Sequence, residues 1–390
     1  MNSERRALVL TKNDFTAERD GGSKRTAALI RSLEAQGFVV DWIAAKPFAF
    51  KTSEPVRRSV DVRSHVRALA SVLRSGSLSS VKWYSRKAIS LVADLCRSRN
   101  YELAVVDHTQ LVPMGVIARA TVRCASTHNV ESELLQNYAN SRPGRMRETA
   151  ARYEASRLRR IESDLVDVFD IVVTVSDRDG TIMASDRFGF RADLVTAPNG
   201  VDEVFFEARG PRERRVVFIG HLGWRPNIDA AEWLAETVWP EVAHNGSDLS
   251  LTLVGKSPSA AVRRLAGPTV EVAGDVESVV PHLISAQVAT APLLSAGGTR
   301  IKILEALAAG TPVVSTSLGA LGLEHLAGDH LLIADTPDHF ARAIVEMASH
   351  ERPRDVVRDL VQGYRWTETM SPVSCAVQRA LAAAVAEERS

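Results

Sequence analysis

The sequence predicts an α/β protein built as two Rossmann-like, doubly wound domains. Three observations carry this. Short β-rich runs alternate with helix-length segments along the whole chain. The alternation breaks at Pro198-Asn199-Gly200 and then restarts. And 390 residues are too many for one ordinary core but suit two.

In the first half the strand candidates are Ala7–Leu10, Val39–Ile43, Leu103–Val106, Arg123–Ser126, Ile171–Val175 and Leu194–Ala197. Between the first two lie Gly21-Gly22 and a helix with apolar residues at Ala27, Ala28, Leu29, Leu33 and Ala35, closed by Gly37. That is a βαβ unit with a glycine loop at its strand-to-helix turn. Residues 143–169 read as one long charged helix. The second half offers strands at Val216–Ile219, Leu249–Val254, Val270–Ala273, Gln287–Ala291, Pro312–Ser315 and Leu331–Ala334. From about Trp366 a final helix rich in Ala, Val and Leu is expected to cross back to the first domain. The expected division is 1–198, 199–365 and 366–390. Ligands of such sheets bind at the C-terminal strand ends, here expected in a cleft with the two domains facing across it.

Composition narrows the class. With 45% hydrophobic and 24% charged residues the chain reads as soluble and globular. No apolar run approaches the roughly 18 residues of a spanning helix, and Ala7 to Leu10 reads as a first strand instead of a signal peptide. Cys96, Cys124 and Cys375 are scattered, which argues against a disulfide framework or zinc cluster and fits a cytoplasmic setting. Net charge is +1, yet residues 1–200 carry 31 Lys/Arg against 23 Asp/Glu, and residues 201–390 carry 17 against 24. Residues 51–100 hold 11 basic and 3 acidic side chains. One reading is a face for an anionic partner: a lipid phosphate, a membrane surface contacted from its inner face, or a phosphorylated acceptor. The other is a solvated set of Arg-rich helices. No nucleic-acid partner is expected.

The most informative stretch runs from Ala291 to Thr316. It reads as a small-residue loop opening a helix over Arg300–Ala309, ended by Gly310, with a buried strand after Pro312. A helix start behind a glycine pair presents backbone N–H groups and a positive dipole end, which suits a phosphate. Gly298, Thr299, Arg300, Ile301 and Lys302 are therefore candidate diphosphate ligands. Glu305 lies deeper in the same helix, where a carboxylate can accept from ribose hydroxyls. Other strand ends add candidates: His128 as a catalytic residue, able to donate to a sugar hydroxyl or to position an acceptor; Gly21, Asp107 and His108 on the acceptor side; and Gly22, Gly220 and Gly274 for the donor. For the glycines a plain tight turn is the competing reading.

Four segments, in order, resemble the retaining glycosyltransferase family numbered four, of the GT-B architecture: Gly21-Gly22-Ser23-Lys24-Arg25 with its helix, Ser126-Thr127-His128-Asn129, Pro198-Asn199-Gly200-Val201-Asp202, and Gly297 to Thr316. The resemblance covers nearly the whole chain. It implies transfer of a sugar from a nucleoside-diphosphate sugar to a polysaccharide, lipid-linked or other glycan acceptor, with retention. It implies no cofactor and no metal, helix dipole and basic side chains replacing the cation. Two features depart from the family pattern. Gly297 stands where the family commonly has the first of two glutamates, Glu305 being the second. After the Val216–Ile219 strand relatives often place an Arg and a later Lys to grip the diphosphate; here the nearest cation is Arg225, the donor-binding residue the resemblance implies. Two rival readings remain, a sugar-nucleotide 2-epimerase and a non-catalytic nucleotide-sugar-binding subunit. A dehydrogenase is poorly supported, since no Gly-x-Gly-x-x-Gly follows the first strand.

Overall fold

The computed structural model describes residues 4–12, 14–16, 21–55, 62–140, 144–185, 192–244, 248–295 and 300–389. The chain divides into two compact units, Met1–Asn199 with Thr367–Ser390, and Gly200–Trp366.

The first unit alternates as its hydrophobic runs dictate: β1 (Arg6–Thr11), α1 (Gly21–Ala35), β2 (Val39–Ala44), β3 (Ala49–Lys51), α2 (Val62–Ser75), α3 (Leu78–Trp83), α4 (Arg86–Ser98), β4 (Leu103–Asp107), α5 (Val112–Gly115), β5 (Val122–Ser126), α6 (Glu131–Asn140), α7 (Arg145–Val168), β6 (Ile171–Thr174), α8 (Asp177–Ala184) and β7 (Asp193–Thr196). The strands form one sheet in the order β3-β2-β1-β4-β5-β6-β7. Every pairing is parallel except β2 with the short edge strand β3. Strands of such a sheet are covered on both faces, so they read as continuous apolar runs without alternation. β4 and β6 are accordingly buried along their whole length. Ser77 and Ser85 cap α3 and α4, each accepting from a backbone N–H three residues on.

The second unit repeats the plan: α9 (Glu203–Glu207), β8 (Arg215–Ile219), α10 (Arg225–Glu232), α11 (Trp239–His244), β9 (Ser250–Gly255), α12 (Ala260–Arg263), β10 (Val270–Gly274), α13 (Val280–Ser285), β11 (Val288–Ala291), α14 (Ile301–Ala308), β12 (Val313–Ser315), β13 (Leu331–Ile333), α15 (Pro337–Ser349) and α16 (Arg354–Asp359). Its sheet is wholly parallel, in the order β10-β9-β8-β11-β12-β13. In both sheets the winding reverses beside the first strand, between β1 and β4 and between β8 and β11. Ligands of open α/β sheets collect at such a reversal, outside the carboxyl ends of the strands.

The last helix, α17 (Trp366–Arg389), continues the first unit from Thr367. It buries Met370, Val373, Ala376 and Val377, and it is tied to α1 by the Ser32–Ser374 hydroxyl pair at 2.9 Å and to β7 by Arg379–Asp193 at 2.6 Å. The segments entering and leaving the second unit run side by side. Val201 bridges Arg365, and its N–H donates to the Tyr364 carbonyl at 2.7 Å.

Candidate functional site

In the first unit the C-terminal ends of β1, β4 and β5 bring together a buried carboxylate and two imidazoles. The register of β4 on β5 aligns Asp107 with Ser126, so His108 and His128 leave the sheet as neighbours. Asp107 is fully buried and both its oxygens are engaged. Oδ1 takes His128 Nε2 at 2.8 Å, and Oδ2 takes the Thr26 hydroxyl at 2.6 Å and the Thr11 hydroxyl at 3.3 Å. His108 Nδ1 lies 3.3 Å from Oδ2. The two rings stack with centroids 3.8 Å apart.

Burial alone would raise the Asp107 carboxyl, but the two imidazoles outweigh it and hold it well below the usual carboxylate range. An ionised carboxylate can only accept, so His128 Nε2 carries the proton. Burial, with His108 adding to it and Asp107 opposing, lowers His128 to about 4. At neutral pH its ring is therefore neutral and its Nδ1 is an acceptor. The expectation for His128, donating to a hydroxyl or positioning an acceptor, is narrowed by the bond to Asp107 to what Nδ1 can do. The buried carboxylate consumes the ring's one N–H, and what remains is a lone pair. Asp107, with three donors on its two oxygens, works as the anchor of the cluster and is not among the residues lining the neighbouring cavity.

His108 holds φ at 97°, a conformation rare for a residue with a side chain and found where a site demands it. A cavity of about 240 Å³ opens beside the cluster, lined by Thr11, Lys12, Phe15, Asn129 and Glu131, by Gly22, Ser23 and Thr26 of the first turns of α1, and by both histidines. Gly21 opens that helix. Among the described residues Asp107, His108 and His128 also form a set with metal-ligating atoms within 4.8 Å of one another. A carboxylate already saturated by protein donors is a poor fit for that role.

In the second unit glycines at the corresponding strand ends let neighbouring groups approach closely. Gly255 has φ +152°, and a Cβ there would sit 1.7 Å from the Gly220 carbonyl oxygen. A Cβ on Gly220 would meet the Asn227 carboxamide at 2.8 Å, and one on Gly274 would meet the Pro258 ring at 2.6 Å. Asn227 Nδ2 donates to the His221 carbonyl at 3.1 Å, and its Oδ1 accepts from Lys302 Nζ at 3.0 Å. Lys302 lies 4.6 Å from the centre of the Phe218 ring. Burial, with Arg300 adding and Glu305 opposing, pushes Lys302 down to about 7. Arg300 is buried and gives Nη2 to the Leu318 carbonyl at 2.8 Å, and Glu305 is buried on α14.

Residues 213–350 match the family described as Glycosyl transferases group 1. The phosphatidyl-myo-inositol mannosyltransferase of Mycobacterium tuberculosis is 29% identical over 203 residues, 47% of this chain and 53% of that protein. The protein of that name from Mycolicibacterium smegmatis is 30% identical over 176 residues, 42% and 45%. The chain spans about half the length of the curated relatives it matches. The sucrose-phosphate synthase structure from Thermosynechococcus elongatus superposes with a TM-score of 0.63 at 15% identity, over 99% of this chain and 100% of that one. The fold is GT-B, two Rossmann-like α/β units.

Within residues 213–350 the expected donor residues fall in three sets. Gly298 and Thr299, with Gly297, lie outside the described residues. Lys302, Glu305, Ile301 and Arg300 share α14 or its start; Arg300 is buried, and Lys302 is half-buried and bonded to Asn227. α14 is apolar on nearly every side, from Ile301 and Ile303 to Leu304, Leu307 and Ala308, and a helix of that kind is enclosed by its own unit. Gly220 and Gly274 have packing reasons of their own. Arg225 is exposed at the first turn of α10 and pairs with Asp229 at 2.5 Å.

Sequence reasoning missed Asn227, which holds Lys302, and Thr26, which holds Asp107. Thr26 was within reach, since it stands one helical turn after Gly22 on the same face. Arg25 was quoted only as part of a motif. It is completely buried, donates Nη1 to the Ala197 carbonyl at 2.7 Å and ties α1 to the exit of β7.

Proposed function

We propose that the chain transfers a sugar from a nucleoside-diphosphate sugar to a hydroxyl of a glycan or lipid-linked acceptor, with retention and without a metal. The observation that carries this reading is the match of residues 213–350 to the group 1 family, with Lys302 and Glu305 on the helix that opens where a nucleotide belongs in a doubly wound sheet. In this reading Glu305 accepts from the ribose, and Lys302 and the start of α14 face the diphosphate. Lys302, near 7 when the site is empty, takes up a proton as the dianion binds, so positive charge is in place when the leaving group departs. His128 Nδ1 accepts from a sugar or acceptor hydroxyl in the cavity of the first unit, oriented by Asp107. A cytoplasmic location, at times peripheral to a membrane, belongs to the same proposal.

The test is a thermal-shift screen of the purified chain against UDP-, GDP-, ADP- and TDP-sugars. It is followed by transfer assays with the stabilising donor and NMR of the product's anomeric centre. Stabilisation by one donor class and an α-to-α product support the proposal. Epimer formation without transfer would replace it with the epimerase reading. Absence of stabilisation by every nucleotide sugar would remove it.

A further inference from the structure

Helix α2 carries two apolar faces, and the fold uses one. Ala68 and Val72 are buried in the first unit. Val62, Val66, Leu69 and Leu73 are 64%, 59%, 42% and 66% exposed. At about 100° per residue these four fall within roughly 60° of one another on the helix surface. Arg63, Arg67 and Arg74 follow the stripe on its outer flank, within about 40° of each other. The helix has no acidic residue, and none occurs from residue 62 to residue 93, where Lys82, Arg86 and Lys87 add to the three arginines. The next helix extends the pattern, with Leu78 and Val81 exposed above the turn.

We propose that the α2–α3 face docks in the plane of an anionic bilayer, the Val62-Val66-Leu69-Leu73 stripe entering the acyl boundary and the arginine row meeting lipid phosphates. An exposed apolar stripe beside a row of cations has the pattern of an interfacial helix. Charge decides between occupants. A second copy seated on the same face would bring arginine rows against one another, whereas an anionic surface is complementary to both features. The face also leads to the cavity. Trp83, which ends α3, lies 5.2 Å from Lys12 Nζ, and Lys12 lines the cavity beside the histidines. A docked molecule thus holds that wall of its cavity close to lipid. The inference stands apart from the reaction, because docking needs neither donor nor acceptor.

The experiment is co-sedimentation of the full chain with vesicles of pure phosphatidylcholine and of mixed phosphatidylcholine and phosphatidylglycerol, at low and high salt. Binding to the mixed vesicles, weakened by salt and nearly absent from the neutral ones, is expected. Arg67→Gln with Arg74→Gln leaves the stripe intact and should weaken partition roughly fivefold per arginine. Leu69→Glu with Leu73→Glu alters two exposed side chains and should abolish binding with an unchanged circular dichroism spectrum. Binding that neither pair alters, or no binding to either vesicle, overturns the proposal. So does a dimer in light scattering that the Leu69→Glu, Leu73→Glu pair dissolves, which would give the face to a second copy.

Discussion

The two units share a winding order and a rule for where ligands gather, yet they hold those places by different physics. In the first unit long-range polar bonds do it. Thr11, Thr26 and His128 come from three separate elements and bond to Asp107, while His108, its neighbour in the chain, lies 3.3 Å away. In the second unit absent side chains do it. Gly255 lets its backbone meet the Gly220 carbonyl, and Gly220 and Gly274 leave room for the Asn227 carboxamide and the Pro258 ring, where any Cβ would intrude. A hydrogen-bonded constellation fixes a tautomer and an orientation, which suits a chemical step. Tight backbone loops shape a surface of amides, which suits gripping a phosphate. On the proposed function the halves divide into chemistry and binding, a division that mutation can break apart.

The sharpest break is at the carboxylate. Asp107→Asn should lower kcat by about 10²-fold or more, because an amide can present its N–H to His128 and reverse the ring's tautomer. His128→Ala should cost on the order of 10²–10⁴. Both variants should keep nucleotide-sugar affinity in calorimetry; a parallel loss of affinity would erase the division of labour. Glu305→Ala should do the opposite, weakening donor binding by roughly tenfold to a hundredfold, as loss of a charge-assisted hydrogen bond does. Unchanged donor affinity would remove the ribose assignment.

A smaller effect separates the halves by pH. Lys302 near 7 must be charged to hold a diphosphate, so above neutrality binding has to take up a proton. Donor affinity should fall up to about tenfold per pH unit above 7, with proton uptake visible as buffer-dependent heat. Lys302→Met should flatten that profile.

The smallest effect is on stability. Glu162 is buried, and burial raises it from 4.5 to about 7 against the bonds it accepts from Ser132. Between those values the folded state holds a proton that the unfolded state has lost, so this stabilisation, complete below 4.5, drains away as pH rises through 7. His128 works the other way. Its folded value lies near 4 and its ordinary one at 6.5, so its share of stability grows as pH rises between them. Glu162→Gln removes the falling part. By scanning calorimetry its melting temperature relative to the parent should rise by a few degrees between pH 5 and pH 8. A constant difference would mean that Glu162 titrates normally.

Much of the fold was legible because parallel strands covered on both faces announce themselves as apolar runs. The twelve expected strands are all present, displaced by a residue or two at their ends, as with Val122–Ser126 and Ser250–Gly255. β3 was missed because three residues at an exposed edge carry no period to read. The site was legible residue by residue but not as an arrangement. Asp107, His108 and His128 could each be placed at a strand end. That one carboxylate orders both rings depends on the β4–β5 register, which no local pattern encodes. Arg300 and Lys302 were read from helix-start logic, and the all-round apolar character of α14 was the overlooked sign that both bond to their own unit, Arg300 to Leu318 and Lys302 to Asn227.

Because α17 belongs to the first unit while Gly200–Trp366 belongs to the second, the earlier unit is interrupted by the later one. A ribosome releases α1 and β7 well before it makes the helix that covers them. The intervening unit is complete in sequence first and can fold on its own adjacent ends. Newborn chains therefore carry an open seam along Ser32 and Asp193 until Ser374 and Arg379 arrive to close it. That seam is where a chaperone would find a nascent chain and where a premature stop codon would do its damage.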